Sequence, residues 1–358
     1  MSRFSLTRWG LTRLGLCSAL VALSVPLAGC KKAPEGPMPI CEANVAAGTA
    51  TESEAQELPA DIWFSILLKG FDRTQRLAGD DPRDCVGDSA LAPTPPPLPS
   101  DVQPEEGADP NIVAGCNIGP DESIAKLPAR PLTEEDVVIN KGPEGKSLVW
   151  VQATHYENGE ASGPVAMVEW TTAGVAVRAL GTLRAHTKKA RMRIEMAEGT
   201  QMLVVESDMC NEELGKLCIR ILKILPNIGG RFVTVPLKID PEEDVERPAD
   251  ADPCLGNAEF ALMEQYTSNL PDGWIREFVI NRSVTFEGGA PLISEQVKIK
   301  DKDPEQPDAP AQDFRQAAND RTLRYTDRFF ATRSSVWDEM IQEYGSVAHD
   351  ADAEDEDE

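Results

Sequence analysis

LVWVQATHYENGEASGPVAMVEWTTAGVAVRALGTL, residues 148–183, decides how this chain is read. An apolar run is followed by a polar loop carrying Gly159, a second apolar run, the turn TTAG and a third run. That is hairpin chemistry, with glycine placed where a tight turn needs positive φ. Two later segments share the layout: MLVVESDMCNEELGKLCIRILKILPNIGGRFVTVPLKI from 202, and EFALMEQYTSNLPDGWIREFVINRSVTFEGGAPLISEQVKI from 259. Their turns are NIGG and FEGG, and the three starts lie 54 and 57 residues apart. ARMRIEMA at 190–197 supplies a further strand between the first two segments. The spacing predicts a mainly β fold of antiparallel strand repeats of about 55 residues, either propeller-like or a β-sandwich. WD and kelch signatures are missing, and EEDVVIN (134–140) and TLRYTDRFFA (322–331) are available as additional strands.

Two short helices flank this region. In PADIWFSILLKGFDRTQRLAGDD, Asp61 can cap a helix whose apolar positions Ile62, Ile66, Leu67 and Phe71 fall near one face, with Gly79 to end it. Near the C-terminus, SSVWDEMIQEY begins with Ser335-x-x-Asp338, the spacing of a capping box. The chain therefore divides into an N-terminal segment 1–29, a small polar tether 30–57, a helix 58–79, a connector 80–145, a β-rich repeat domain 146–345 and an acidic tail 346–358. The connector holds twelve prolines, among them TPPPLP at 94–99, and has polyproline character. Residues 350–358, DADAEDEDE, carry seven acids and cannot bury enough apolar surface to order.

The N-terminal segment has Arg3, Arg8 and Arg13, then an apolar stretch from Leu14 to Leu27 with no acid before it. This is the layout of an export signal, too short to span a bilayer comfortably. Its ending, Leu27-Ala28-Gly29-Cys30, resembles the lipobox of bacterial lipoproteins. The resemblance covers only the first thirty residues. It implies cleavage before Cys30, acylation of that thiol and anchoring by several acyl chains. Lys31, standing where the enteric sorting rule looks for Asp, implies the outer membrane. No Arg-Arg pair is present, so the general secretory route is expected.

Removing the signal leaves 329 residues, and the formal charge of −25 becomes −28 without its three arginines. So acidic a surface repels nucleic acid, and no nucleic-acid partner is expected. Eight cysteines become six once Cys17 leaves with the signal and Cys30 is acylated, an even number in an oxidising compartment. Cys210 and Cys218 flank NEELGKL between two strand-like runs, which is the spacing of a bridged hairpin. Cys41, Cys85, Cys116 and Cys254 then have three possible pairings. There is no C-x-x-C, which argues against a redox or zinc-ribbon site.

Catalytic patterns are thin. GDSA at 87–90 puts Ser89 in a proline-rich stretch instead of after an apolar strand, and no Asp-x-x-His follows it. There is no G-x-S-x-G, S-x-x-K, H-E-x-x-H or phosphate-binding loop. His155, His186 and His349 are widely separated. The tail and the acidic loop DPEEDVERPADADPC (240–254) lack the glycine a calcium loop needs, and His155 with Glu157 is a lesser metal candidate still. No metal and no cofactor is expected. Arg184, Lys188, Lys189, Arg191 and Arg193 form one basic stretch, which could meet an anionic ligand or be neutralised by the protein's own acids. The expected function is that of a lipid-anchored cell-envelope protein acting as a non-catalytic binding or scaffold module. Its expected partners are the membrane, through the N-terminal lipid, and an envelope protein or glycan. The alternative is an exported hydrolase whose site gathers dispersed acids on the β-domain loops.

Overall fold

Trp63, Phe64 and Leu67 have no solvent exposure in the computed structural model, which describes residues 38–43, 58–98, 107–171, 174–211, 217–240, 252–306, 308–326 and 328–349. These side chains belong to α1 (Ala60–Leu67), which follows the strand β1 (Cys41–Ala43). The helix stops when Leu68 turns extended to begin β2 (Leu68–Lys69), paired with β3 (Arg83–Asp84). Gly70, at φ +77°, turns the chain well before Gly79. The helix expected over 58–79 is thus two turns long, because its second half pairs with β3 instead of continuing the apolar face.

A small hairpin, β4 (Ile112–Val113) and β5 (Cys116–Asn117), precedes the long strands. These are β6 (Val137–Lys141), β7 (Ser147–Val151), β8 (Thr154–His155), β9 (Glu160–Thr171), β10 (Gly174–His186), β11 (Arg191–Ala197), β12 (Thr200–Asn211), β13 (Leu217–Ile228) and the two-residue β14 (Arg231–Phe232). They form one sheet in the order β11-β12-β13-β14-β10-β9-β7-β6, with β1 added to β10 and β8 to β9. Its two edges come back together, since Asn140 Oδ1 in β6 accepts the Met192 N–H of β11 at 2.9 Å. The result is a nearly closed barrel.

Alternation along each strand explains the closure. Leu148 and Trp150 join Val165, Leu183, Leu203 and Phe232 in the inner cluster, while their neighbours Val149 and Val151 pack outward under α1. Each fully buried large side chain of this kind contributes about 1.5–3 kcal/mol. Two glycines allow the backbone crossings that curvature requires. A Cβ on Gly181 would sit 2.2 Å from Phe232 O, and one on Gly163 would sit 1.8 Å from Val151 O.

The outer face of β12 and β13 carries the rest of the fold. A second sheet, in the order β16-β15-β23-β22, is built from β15 (Pro236–Ile239), β16 (Cys254–Asn257), β22 (Arg324–Thr326) and β23 (Phe329–Thr332), and β17 (Glu259–Ala261) pairs with β13. Met202, Val204, Leu222 and Ile224 pack there against Leu237, Phe260 and Phe330. The last sheet is an antiparallel meander of β18 (Met263–Asn269), β19 (Ile275–Thr285), β20 (Leu292–Lys302) and β21 (Gln312–Thr322). One face of it is covered by α2 (Val336–Tyr344) through Trp337 and Met340. Ser335 caps α2 by accepting the Trp337 N–H.

The fold is mainly β, as the alternation predicts, but the three look-alike segments do not build three alike units. The first lies in the barrel-like sheet, the second lies there through β12, β13 and β14 before its end crosses as β15 into the second sheet, and the third contributes β17 to the barrel-like sheet and then strands of the separate meander. Hairpin chemistry specifies a local turn and leaves the next partner open, so similar segments need not be equivalent. Two expected boundaries also shift. β1 lies within 30–57, and β6 lies within the 80–145 connector. At the far end, Val347 O accepts from Arg276 at 3.1 Å and the His349 N–H donates to Asp272 at 2.7 Å, so 346–349 pack on the meander. Cys30 and the run 350–358 lie outside the described residues.

A candidate binding pocket at the split in the sheet

β14 pairs with β10 at only Leu180 and Gly181, and with β13 at only Asn227 and Ile228. Beyond its end β10 continues without that partner, while the same edge of β13 passes to Ala258, whose O accepts the Ile224 N–H, and to β17. Lys223 Nζ reaches across the gap and donates to Arg184 O at 2.5 Å. The split leaves a pocket of about 350 Å³, floored by these strands. One wall is the segment after β5, from Asn117 to Asp121, and the other runs from Gly256 to Glu259. These walls begin just after Cys116 and Cys254, which are disulfide-bonded to each other. Asn257 Nδ2 donates to Ile118 O at 3.3 Å and ties the walls a second time. Thr94 braces the floor, its hydroxyl oxygen accepting the Thr182 N–H at 3.0 Å.

Charge in the pocket alternates in sign. Arg184 Nε donates to Glu160 at 2.8 Å, and Lys223 Nζ lies 2.7 Å from Glu259. The Arg184 guanidinium also stacks 3.9 Å from the Tyr156 ring centroid and donates from Nη1 to Asp121 O at 3.2 Å. Both partners of the first pair are largely buried, so it is held far more firmly than a surface ion pair. Burial alone would raise the Glu160 carboxyl, but Asn158, Arg184 and Lys223 together hold it below the usual carboxylate range. His186 is pushed down by burial, which outweighs the opposing pull of Glu160 and Glu259. Among the described residues, two buried atoms of residues lining the pocket find no hydrogen-bond partner: Arg184 Nη2, a donor, and Asn257 Oδ1, an acceptor.

The residues singled out by sequence are dispersed. Of the basic stretch, only Arg184 reaches the pocket; Lys189 pairs with Asp208 at 3.0 Å, and Arg193 pairs with Glu206 and, at 2.7 Å, with Glu195. Neutralisation by the protein's own acids therefore accounts for most of it. The Ser89 hydroxyl oxygen accepts from the N–H groups of Leu91 and Ala92, as in a Ser turn, with no histidine at hand. His155 lies 3.1 Å from the buried Asp136, which also accepts both terminal nitrogens of Arg130 at 2.8 and 2.6 Å. His349 stacks on Trp274 and bonds Asp301. The three histidines thus occupy three separate places. Among the described residues, no group of three or more His, Cys, Asp or Glu is arranged to hold a metal ion. The acidic stretch 241–251 lies outside the described residues.

All six cysteines of the expected set are bridged. Cys210 and Cys218 stand directly opposite each other on β12 and β13 and are joined, with Cα atoms 4.1 Å apart. Of the three pairings open for the rest, the structure has Cys41–Cys85 and Cys116–Cys254.

Sequence reading missed Glu160, Lys223, Asn257 and Glu259, which come from separate stretches of chain. One signal was present: Lys223 interrupts the apolar run ILKIL. A lysine inside a buried strand needs a partner or a cavity. No family model, curated protein or solved structure matches the chain.

Proposed function

We propose that this is a lipid-anchored cell-envelope protein that holds a small ligand in the split of its barrel-like sheet, without turning that ligand over. The observation that carries the reading is that the pocket's charges are already paired, Glu160 with Arg184 at 2.8 Å and Glu259 with Lys223 at 2.7 Å. A hydrolase working through carboxyls needs one of them pushed up to act as a proton donor. Here Glu160 is held down by its hydrogen bonds and cations, Asp121 is held down by hydrogen bonds from Ser123, and His186 is pushed towards its neutral form by burial. Carboxyls that burial does push up lie elsewhere. Asp84 accepts the N–H groups of Val86, Gly87 and Asp88 in a turn, and Asp338 sits beside Arg282 and Arg321 at the start of α2. Fixed, paired charges on a disulfide-clasped frame suit recognition.

Anchoring through Cys30 rests on the lipobox resemblance, and the acidic net charge supports a partner other than nucleic acid. The envelope address is tested by feeding labelled palmitate to cells making the wild-type protein or Cys30→Ala. Label is expected in the wild type and in the membrane fraction, and none in the variant. Equal labelling of both removes the anchor from the proposal.

A further inference from the structure

The pocket presents Glu160, Arg184, Lys223 and Glu259 as two ion pairs set side by side, with Lys223 also acting on Glu160. A ligand carrying only negative charge meets two carboxylates here, and Asp121 at the rim as a third. A ligand carrying only positive charge meets the guanidinium and the ammonium. A ligand carrying both signs a few ångströms apart can set each against its opposite, and net-charged competitors are rejected by the same array. The two unpartnered atoms have matching needs: Arg184 Nη2 offers N–H, and Asn257 Oδ1 asks for it.

We infer that the pocket binds the zwitterionic head of an α-amino acid or of a short peptide. The carboxylate is received by Arg184 and Lys223, and the ammonium by Asn257 Oδ1 with Glu160 or Glu259. The inference rests on the binding reading above and adds its ligand class. Ile118, Ile124 and Val235 leave room for a small aliphatic side chain. None of the described lining residues is aromatic, so the wall lacks the flat platform on which a sugar face stacks.

The test is calorimetric titration of the full-length protein in detergent with glycine, L-alanine, L-glutamate, L-lysine and alanyl-alanine, followed by the N-acetyl and C-amide forms of the best binder. At least one free compound binds, and each capped form binds about tenfold or more weakly, the effect of deleting one charged hydrogen-bond partner. Glu160→Gln weakens the free compound more than its N-acetyl form, a comparison made within one folded variant. A single amino acid binding best assigns the free metabolite as the source, and the dipeptide binding best assigns a peptide end. Capped forms that bind as well as the free one overturn the inference, as does failure of all five to bind at millimolar concentration. Cleavage of the dipeptide during the titration overturns the holding reading instead and leaves zwitterion recognition standing.

Discussion

Replacing each disulfide in turn by two serines should destabilise the protein in a fixed order set by the chain each bridge closes. Cys116–Cys254 spans 138 residues, Cys41–Cys85 spans 44 and Cys210–Cys218 spans 8. The entropy removed from the unfolded chain grows with the logarithm of the loop, giving about 5, about 4 and about 2.5 kcal/mol respectively at 25 °C. The largest effect therefore belongs to the bridge that clasps the pocket. Equilibrium urea unfolding under non-reducing conditions, followed by tryptophan fluorescence and far-UV dichroism together, reads the differences when the two probes coincide. At a slope of about 3 kcal/mol/M, the gap of about 2.5 kcal/mol between the longest and shortest loops separates the midpoints by about 0.8 M. Cys116→Ser with Cys254→Ser also loosens two walls that the hydrogen bond from Asn257 to Ile118 still ties. Equal losses for all three pairs, or the greatest loss from Cys210 and Cys218, would refute the loop argument and place the stabilisation in native contacts.

The buried pair Arg276–Asp301, bonded twice at 2.7 and 2.6 Å with no exposure on either side, predicts a second outcome. Arg276→Met should cost about 3–5 kcal/mol by taking the guanidinium from a buried carboxylate that keeps its bond to His349, and Arg276→Met with Asp301→Leu should be more stable than Arg276→Met alone; additive losses in a double-mutant cycle refute this. Truncation after His349 should leave the melting temperature unchanged, whereas truncation after Gly345 removes the Val347 and His349 bonds to Arg276, Asp272 and Asp301 and should lower it by several degrees. Identical melting curves for the two truncations refute the docking of 346–349. Burial alone would raise the Asp136 carboxyl, but hydrogen bonds from His155, Arg130 and Thr133 overcome it and hold the group well below its ordinary 3.8. Its contribution is then present above pH 3.8 and lost as pH falls through the lower folded value, so acid unfolding of Asp136→Asn should be less steep than that of the wild type; parallel curves contradict the linkage.

Local chemistry was legible and partnership was not. The alternation in LVWV, VAMV and LVVE shows which side chains face inward, and Leu148 against Val149 divides between two cores as a period of two demands. Glycines in TTAG and NIGG mark turns. Nothing in those letters says that β14 would be two residues long, yet that shortness splits the sheet and opens the pocket. Arg231 and Phe232 read as the start of a longer strand in RFVTVPLKI. The chain stays on β13 only as far as Val233, whose N–H donates to Pro226 O, then leaves it, with Thr234 N–H donating to Thr94 O, before resuming at Pro236 beside β23. Which of two sheets a strand joins is settled by residues far along the chain, and hydropathy periodicity does not carry that information. The same holds for Cys116 and Cys254, whose pairing depends on a contact across 138 residues.

Closure of the sheet also explains why the pocket lies at a flank. The barrel interior is packed with Trp150, Phe232, Leu183 and Leu203, all without exposure. With the interior spent on packing, this pocket lies outside it, where the hydrogen-bond ladder is interrupted. At the split, β10 has backbone groups to satisfy and does so with side chains, Lys223 on Arg184 O and the Thr94 hydroxyl on the Thr182 N–H, while the Ile224 N–H of β13 goes to Ala258 O. The charges there are consequences of the broken ladder before they are anything else. Once present, they are held in a fixed geometry by a disulfide and by walls drawn from distant segments. An ion-pair array so arranged can select a ligand by its charge pattern, each charge of the ligand competing with a partner already in place.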